Sequence, residues 1–231
     1  MLSSPIPDIS KVPLSAELAV NFNLANNTII QKAALDPING NLVEVGDSKQ
    51  PEFYPQLKIM RWENEVNFSA RLVDLDSTTP TMEITGNVIK YKKATYEAHY
   101  YDIGFADDTG GFVDELILNS KPATNVIQWT LQTKGLDFFY QDALTAQEIA
   151  DGCSRTDHIV GSYAVYHSTQ SGDNVGGKNY RAGKAFHIFA PLATDAKGNT
   201  SKSTLNISNG IMTATINQAF LDSSAYPISI K

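Results

Sequence analysis

The sequence predicts an all-β fold, an antiparallel two-sheet β-sandwich of jelly-roll-like character with an extended, Pro-rich N-terminal arm. Three observations predict it. Strand-like runs follow one another through the last two-thirds of the chain with almost no helix between them, apolar residues recur in these runs with period two, and glycine or Asp/Asn clusters separate the runs. At 231 residues the chain can form one large all-β domain, since sandwiches commonly reach roughly 200 residues as a single unit. The expected division is an arm over 1–56 and a sandwich domain over 57–231.

The arm carries Pro5, Pro7, Pro13, Pro37, Pro51 and Pro55 among many Asn and Ser residues. Each proline removes a backbone donor and restrains the residue before it, so the segment resists both helix and central strand. Within it, residues 18–24 alternate apolar and polar side chains after Ala19 and are read as one strand. An arm of this composition orders by packing on a neighbour or on its own domain.

The strand-like runs are Leu57 to Trp62, Glu65 to Val73, Thr81 to Lys92, Thr95 to Ile103, Phe112 to Leu118 and Asn125 to Thr133. They continue with Ser162 to His167, Lys184 to Phe189, Ser203 to Ile207, Ile211 to Ile216 and Tyr226 to Ile230. Val66, Phe68, Ala70 and Leu72 share one face of the second run, opposed by Asn67, Ser69 and Arg71. Ile127, Trp129 and Leu131 likewise oppose Gln128, Thr130 and Gln132. Both patterns are those of half-buried antiparallel strands and mark the expected core. Turn signals at 107–111, 134–135, 171–173, 176–177 and 195–199 favour hairpin connections.

One helix is expected where Thr145 and Glu148 form a capping box, with Leu144 and Ile149 as a hydrophobic staple and Gly152 as its end. A second helical turn is expected after Asn217. No repeat with a period of roughly 20 to 50 residues is evident, which disfavours a solenoid or propeller.

Composition narrows the chemistry. A formal net charge of −7 and a pI near 5.0 disfavour a nucleic-acid partner, which needs a clustered basic footprint. Lys90, Lys92 and Lys93, the densest cationic stretch, read as the solvated face of a strand. Cys153 is the sole cysteine, so neither an intrachain disulfide nor a CxxC metal pair can form; beside Arg155 it reads as an incidental loop thiol. Met1 to Pro5 lack the charged and apolar regions of a signal peptide, and no run approaches the roughly 18 apolar residues of a membrane span. For a chain that is the whole gene product, assembly in a cytoplasm is therefore expected.

His99, His158, His167 and His187 lack a second His or Cys at metal-ligand spacing and read as ordinary histidines. Asp102, Asp107, Asp108, Asp114 and Glu115 supply carboxylates in number, the raw material of a glycosidase pair or a hard-cation site, although acidic surface hairpins are the simpler reading. Gly161-Ser162-Tyr163 leads into a strand and is no nucleophile elbow, and Gly176-Gly177-Lys178-Asn179 lacks the spacing of a phosphate loop. Tyr96, Tyr100, Tyr101, Tyr163, Tyr166 and Tyr180 could form sugar-stacking platforms, or simply pack across strands. The expected catalytic, cofactor-binding and metal-binding residues are therefore none.

A family resemblance adds to these readings. It is carried by residues 114–118, by 129–140 with its Thr-x-Gly-Leu ending, by 160–167 and 183–188, and by the closing 220–228 with Tyr226-Pro227-Ile228. From Tyr96 to Ile230 the chain resembles a β-rich module of uncharacterised phage and metagenomic virion structural proteins. It is more distantly similar to the β-domain of bacterial YD-repeat wall-associated proteins. The resemblance leaves the arm unmatched and brings no catalytic residue. It implies a non-enzymatic structural component of a phage virion, such as a capsid decoration, head-fibre or tail-associated protein. The partners expected are other copies of the chain or other virion proteins, and a host-surface glycan, with neither nucleic acid nor membrane. The alternative is a carbohydrate-binding or adhesive module of a bacterial surface protein; a glycan hydrolase or lyase ranks third. Fold alone does not choose among them.

Overall fold

A computed structural model describes residues 23–25, 28–32, 42–46, 56–85, 88–102, 111–172, 174–175 and 178–231. Two large antiparallel sheets dominate. The first runs, in spatial order, β1 (Asn23–Ala25), β2 (Thr28–Lys32), β3 (Leu42–Gly46), β4 (Gln56–Arg61), β5 (Val66–Leu72), β10 (Val126–Lys134), β19 (Ile211–Thr215) and β18 (Thr204–Ser208). The second runs β17 (Thr200–Lys202), β16 (Leu192–Thr194), β20 (Ile228–Ile230), β9 (Phe112–Leu118), β8 (Tyr96–Asp102), β7 (Val88–Lys92) and β6 (Thr81–Thr85). A three-stranded sheet, β11 (Leu136–Tyr140), β12 (Tyr163–His167) and β15 (Lys184–Ile188), completes the core. The short pair β13 (Asn174–Val175) and β14 (Lys178–Asn179) stands by itself.

The period-two reading places the right side chains inside. Phe68, Ala70, Leu72, Ile127 and Trp129 of the first sheet share one buried cluster with Tyr91, Tyr96, Tyr100, Leu116, Leu118, Ile228 and Ile230 of the second. Tyr163 and Val165 join it from the small sheet. A core contributed by both inner faces is what makes the arrangement sandwich-like. Burial of each such side chain removes its apolar area from water, worth about 1.5–3 kcal/mol for a Val, Leu, Ile or Phe.

The part of the 1–56 segment that is described is not free of the sheet. Residues of β1, β2 and β3 pair in sequence onto β4, and Val43 and Val45 are buried in the shared core. The first sheet thus begins before the boundary expected at residue 57. The rest of the segment, including residues 18–22 of the strand expected there, lies outside the described residues.

Consecutive strands pair as antiparallel neighbours at β4–β5, β6–β7, β7–β8, β8–β9, β16–β17 and β18–β19. Of the expected turns, 195–199 joins β16 to β17, whereas 134–135 closes no hairpin, because β10 and β11 belong to different sheets. The run expected from Thr81 to Lys92 is two strands, with Thr85 opposite Val88 across a two-residue connection. The β4–β5 turn places Trp62, Glu63 and Asn64 at φ of 50°, 56° and 67°, and is tied by the Asn67 amide donating to Asn64 Oδ1 at 2.8 Å. Asp195 organises the β16–β17 turn. Its carboxylate accepts from the amide of Asn199 and from the backbone N–H groups of Lys197, Asn199 and Ala225, and the Asn199 amide is the foremost partner holding its pKa at about 2.

One glycine decides the topology. β10 ends at Lys134 opposite Asn67 in the first sheet, while β11 starts at Leu136 opposite His167 in the small sheet. Gly135 between them has φ of 65°, and a Cβ there would lie 3.2 Å from both Glu65 O and Val66 Cγ1. Glycine takes this left-handed backbone without strain and leaves room for the close approach, where a single continuous segment bends from one sheet into another.

Both expected helices form. The first, α1 (Ala146–Ala150), carries the Thr145–Glu148 capping box, with Thr145 N–H donating to Glu148 Oε2 at 2.7 Å. The expected staple does not close, because Ile149 is 60% exposed and the helix buries no residue. The second, α2 (Gln218–Ser223), is capped by Asn217, whose side chain accepts from the Ala219 and Phe220 N–H groups; it buries Leu221.

Candidate functional site

Several of the described chemistry-bearing residues are consumed by the scaffold, and others line an open groove. Lys93 belongs to the first group and corrects the expectation of a solvated cationic face. Lys90 and Lys92 alternate with the buried Ile89 and Tyr91, and Lys92 pairs with Glu83 on the surface. Lys93 lies beyond the strand end, where a Lys93 N–H bond to Tyr96 O turns the chain inward. Its buried ammonium donates to Asp74 at 2.6 and 2.8 Å. Burial would raise the Asp74 pKa, but bonds from Lys93, the Asp76 N–H and the Tyr96 hydroxyl together hold it below the usual carboxylate range.

The acidic cluster is dispersed. Asp114 and Glu115 are neighbours on β9, and the pleat sends them to opposite faces. Asp114 turns into the sandwich, where its Oδ2 accepts from Trp129 Nε1 at 3.0 Å. As a whole residue it is half-buried, but its carboxyl lies between the sheets; loss of hydration there pushes its pKa up to about 7, against the pull of the indole hydrogen bond. Glu115 faces outward and accepts from the Tyr101 hydroxyl at 3.2 Å, with His99 Nδ1 3.9 Å away. Asp107, Asp108 and the Asp102 side chain lie outside the described residues. Among the described residues no group of three or more His, Cys, Asp or Glu could hold a metal ion.

The histidines sit apart. His99 Nε2 is 2.8 Å from Glu97 Oε2. His158 is exposed, its ring 6.3 Å from that of Phe189. His187 Nε2 lies 2.6 Å from Ser162 Oγ, a contact that resembles a nucleophile and its base. Ser162 is wholly buried and its hydroxyl also donates to Ile159 O, so it offers no reachable nucleophile. Burial first, then the charges of Lys184 and His158, depress the His187 pKa to about 4. Cys153 is exposed just past α1, while Arg155 donates to Asp142 O.

His167 anchors a more elaborate construction. Its Nδ1 accepts from the N–H groups of Thr169 and Gln170 at 3.2 and 3.3 Å, so the ring proton of the neutral form sits on Nε2. The ring packs 5.6 Å from Trp62 and 5.7 Å from Tyr180, and the Tyr180 hydroxyl donates to Glu65 at 2.9 Å. These contacts hold the 168–171 loop against the small sheet. From the other side, Gly183 at φ of 80° lets the 181–183 turn approach the same loop, since a Cβ there would fall 2.2 Å from Gln170 O.

Between these walls is an open groove of about 300 Å³, lined by Asp137, Phe139, Tyr166, His167, Gln170, Ser171 and Ala182. Strand register explains its composition. Asp137 pairs with Tyr166 and Phe139 with Ala164, which puts Asp137, Phe139 and Tyr166 on one face. Phe139 is 52% exposed, and its ring meets Tyr166 edge-on at 5.6 Å and 82°.

The six tyrosines expected as sugar platforms separate sharply. Tyr96, Tyr100, Tyr101, Tyr163 and Tyr180 are buried, and Tyr166 alone of the six borders the groove. Phe139 was not singled out by the sequence, because the run Phe138-Phe139-Tyr140 offers no alternation to say which ring faces out. Gly176 and Gly177, expected in a loop, lie outside the described residues. No family model, curated protein or solved structure matches this chain.

Proposed function

We propose that this chain is a non-enzymatic structural component of a phage virion, a capsid decoration, head-fibre or tail-associated protein acting through protein–protein contacts. On this reading the sandwich is jelly-roll-like, and the N-terminal segment reaches to neighbouring copies or to other virion proteins. The observation that carries it is how the reactive side chains are used: the Asp114–Trp129, Lys93–Asp74 and Ser162–His187 pairs each tie one strand or turn of the scaffold to another. Groups spent in this way stiffen a block and leave none of their chemistry for a substrate. The resemblance over residues 96–230 points in the same direction.

Two measurements test the proposal. Sedimentation of the purified chain across a wide concentration range should reveal a closed oligomer, most simply of cyclic symmetry. Mass spectrometry of purified particles from the host lysate should recover its peptides at a fixed ratio to the major capsid protein. A monomer at every concentration, together with absence from particles, would defeat it.

A further inference from the structure

We propose that the groove on the small sheet binds a neutral hexopyranose unit of a glycan. A pyranose ring has an apolar C–H face and a belt of hydroxyl groups. Its receptor therefore needs an aromatic face beside acceptors and donors on a fixed frame.

The groove holds these parts. Phe139 leaves about half its surface to water, 52%, while Tyr166 braces the ring edge-on from the paired strand. The Asp137 carboxylate can accept from two vicinal hydroxyls, and Gln170 and Ser171 add groups that both donate and accept. A volume of about 300 Å³ suits one ring with a second extending from its open side.

The walls are set in advance of any ligand. His167 gathers the Thr169 and Gln170 N–H groups, and Gly183 admits the opposing turn to within contact of Gln170 O. Such preorganisation lowers the ordering cost of binding, which matters most for weak ligands such as sugars. Charge selects among them, since Asp137 in the groove and a net charge of −7 oppose sialylated, sulfated or uronic units. This inference is independent of the virion assignment, because a glycan site serves particle attachment and cell-surface adhesion equally.

The test is a glycan array probed with the intact chain, followed by calorimetric titration of the neutral oligosaccharides it retains. Neutral hexose-containing glycans should bind. Phe139→Ala and, separately, Asp137→Asn should each weaken binding about tenfold or more. Both variants should melt as the parent does, since both side chains are exposed, and Phe139→Tyr should retain affinity. Three results would overturn the proposal: no neutral glycan retained, a preference for acidic glycans, or affinity indifferent to both substitutions. Loss of self-association in Phe139→Ala without any effect on glycan retention would assign the groove to a subunit contact instead.

Discussion

Trp129 on the first sheet donates its indole N–H to the Asp114 carboxylate on the second, 3.0 Å away, so one hydrogen bond ties the two halves of the sandwich through their shared core. Trp129 is 5% exposed. Replacing it with Ala removes a buried aromatic and also leaves Asp114 without that donor. The expected cost is about 3–5 kcal/mol, read from denaturant unfolding. Trp129→Phe keeps most of the volume and isolates the polar part, about 1–3 kcal/mol for a buried acceptor losing its partner.

Asp114 also gives stability a pH dependence of unusual sign for a carboxylate. Its folded pKa of about 7 exceeds the unfolded value of 3.8, so between these the folded state holds a proton that the unfolded chain has released. Stability from this group is complete below about pH 4 and is lost as the pH rises through 7. Asp114→Asn should remove that fall, which melting temperatures across the range would reveal.

His187 acts in the opposite direction over an overlapping window. Its folded pKa of about 4 lies below the ordinary 6.5, so the unfolded chain takes up a proton first as the pH falls. Its contribution is present above pH 6.5 and lost on acidification toward 4. In Asp114→Asn this loss should stand exposed as a decline on acidification that the parent chain shows more weakly. A flat profile between pH 4 and 6.5 in that variant would contradict the assignment.

Gly135→Ala should destabilise out of proportion to the one carbon it adds. A left-handed backbone costs a non-glycine residue about 1–2 kcal/mol, and the new Cβ would press on Glu65 O and Val66 Cγ1 at 3.2 Å. The change acts where β10 passes into β11, so hydrogen exchange in β11 and β12 should rise more than in β8 and β9.

Truncation tests how much of the N-terminal segment belongs to the sandwich. Deleting residues 1–50 removes β3 with the buried Val43 and Val45, each worth about 1.5–3 kcal/mol, whereas deleting 1–40 spares them. The longer deletion should therefore melt well below the shorter one. Equal melting temperatures would return the boundary to residue 57.

Much of the local structure was legible in the sequence. The alternation through Val66 to Leu72 and Ile127 to Leu131 marked true core faces, and Thr145 and Asn217 marked true helix starts, because both signals depend on spacing within a few residues. The Gly86-Asn87 pair, which separates β6 from β7, was a readable two-residue hairpin signal inside what looked like one run. Phe139 was not readable, since which of three consecutive aromatics faces outward depends on the bend at Gly135.

By itself, the sequence determined that the protein is built of antiparallel strands, which residues alternate, and where helices begin. Only the tertiary structure decided that β10 lies between β5 and β19, that β20 lies between β16 and β9, and that Asp114 ends in the core while Glu115 faces outward. Ladder hydrogen bonds join backbone groups common to every residue, so partners distant in the chain leave no mark on residue type. The environment of a carboxylate is likewise set by what packs against it, and adjacent acids with the same local spacing become a carboxyl near pKa 7 between the sheets and a hydrogen-bond acceptor on the outer face.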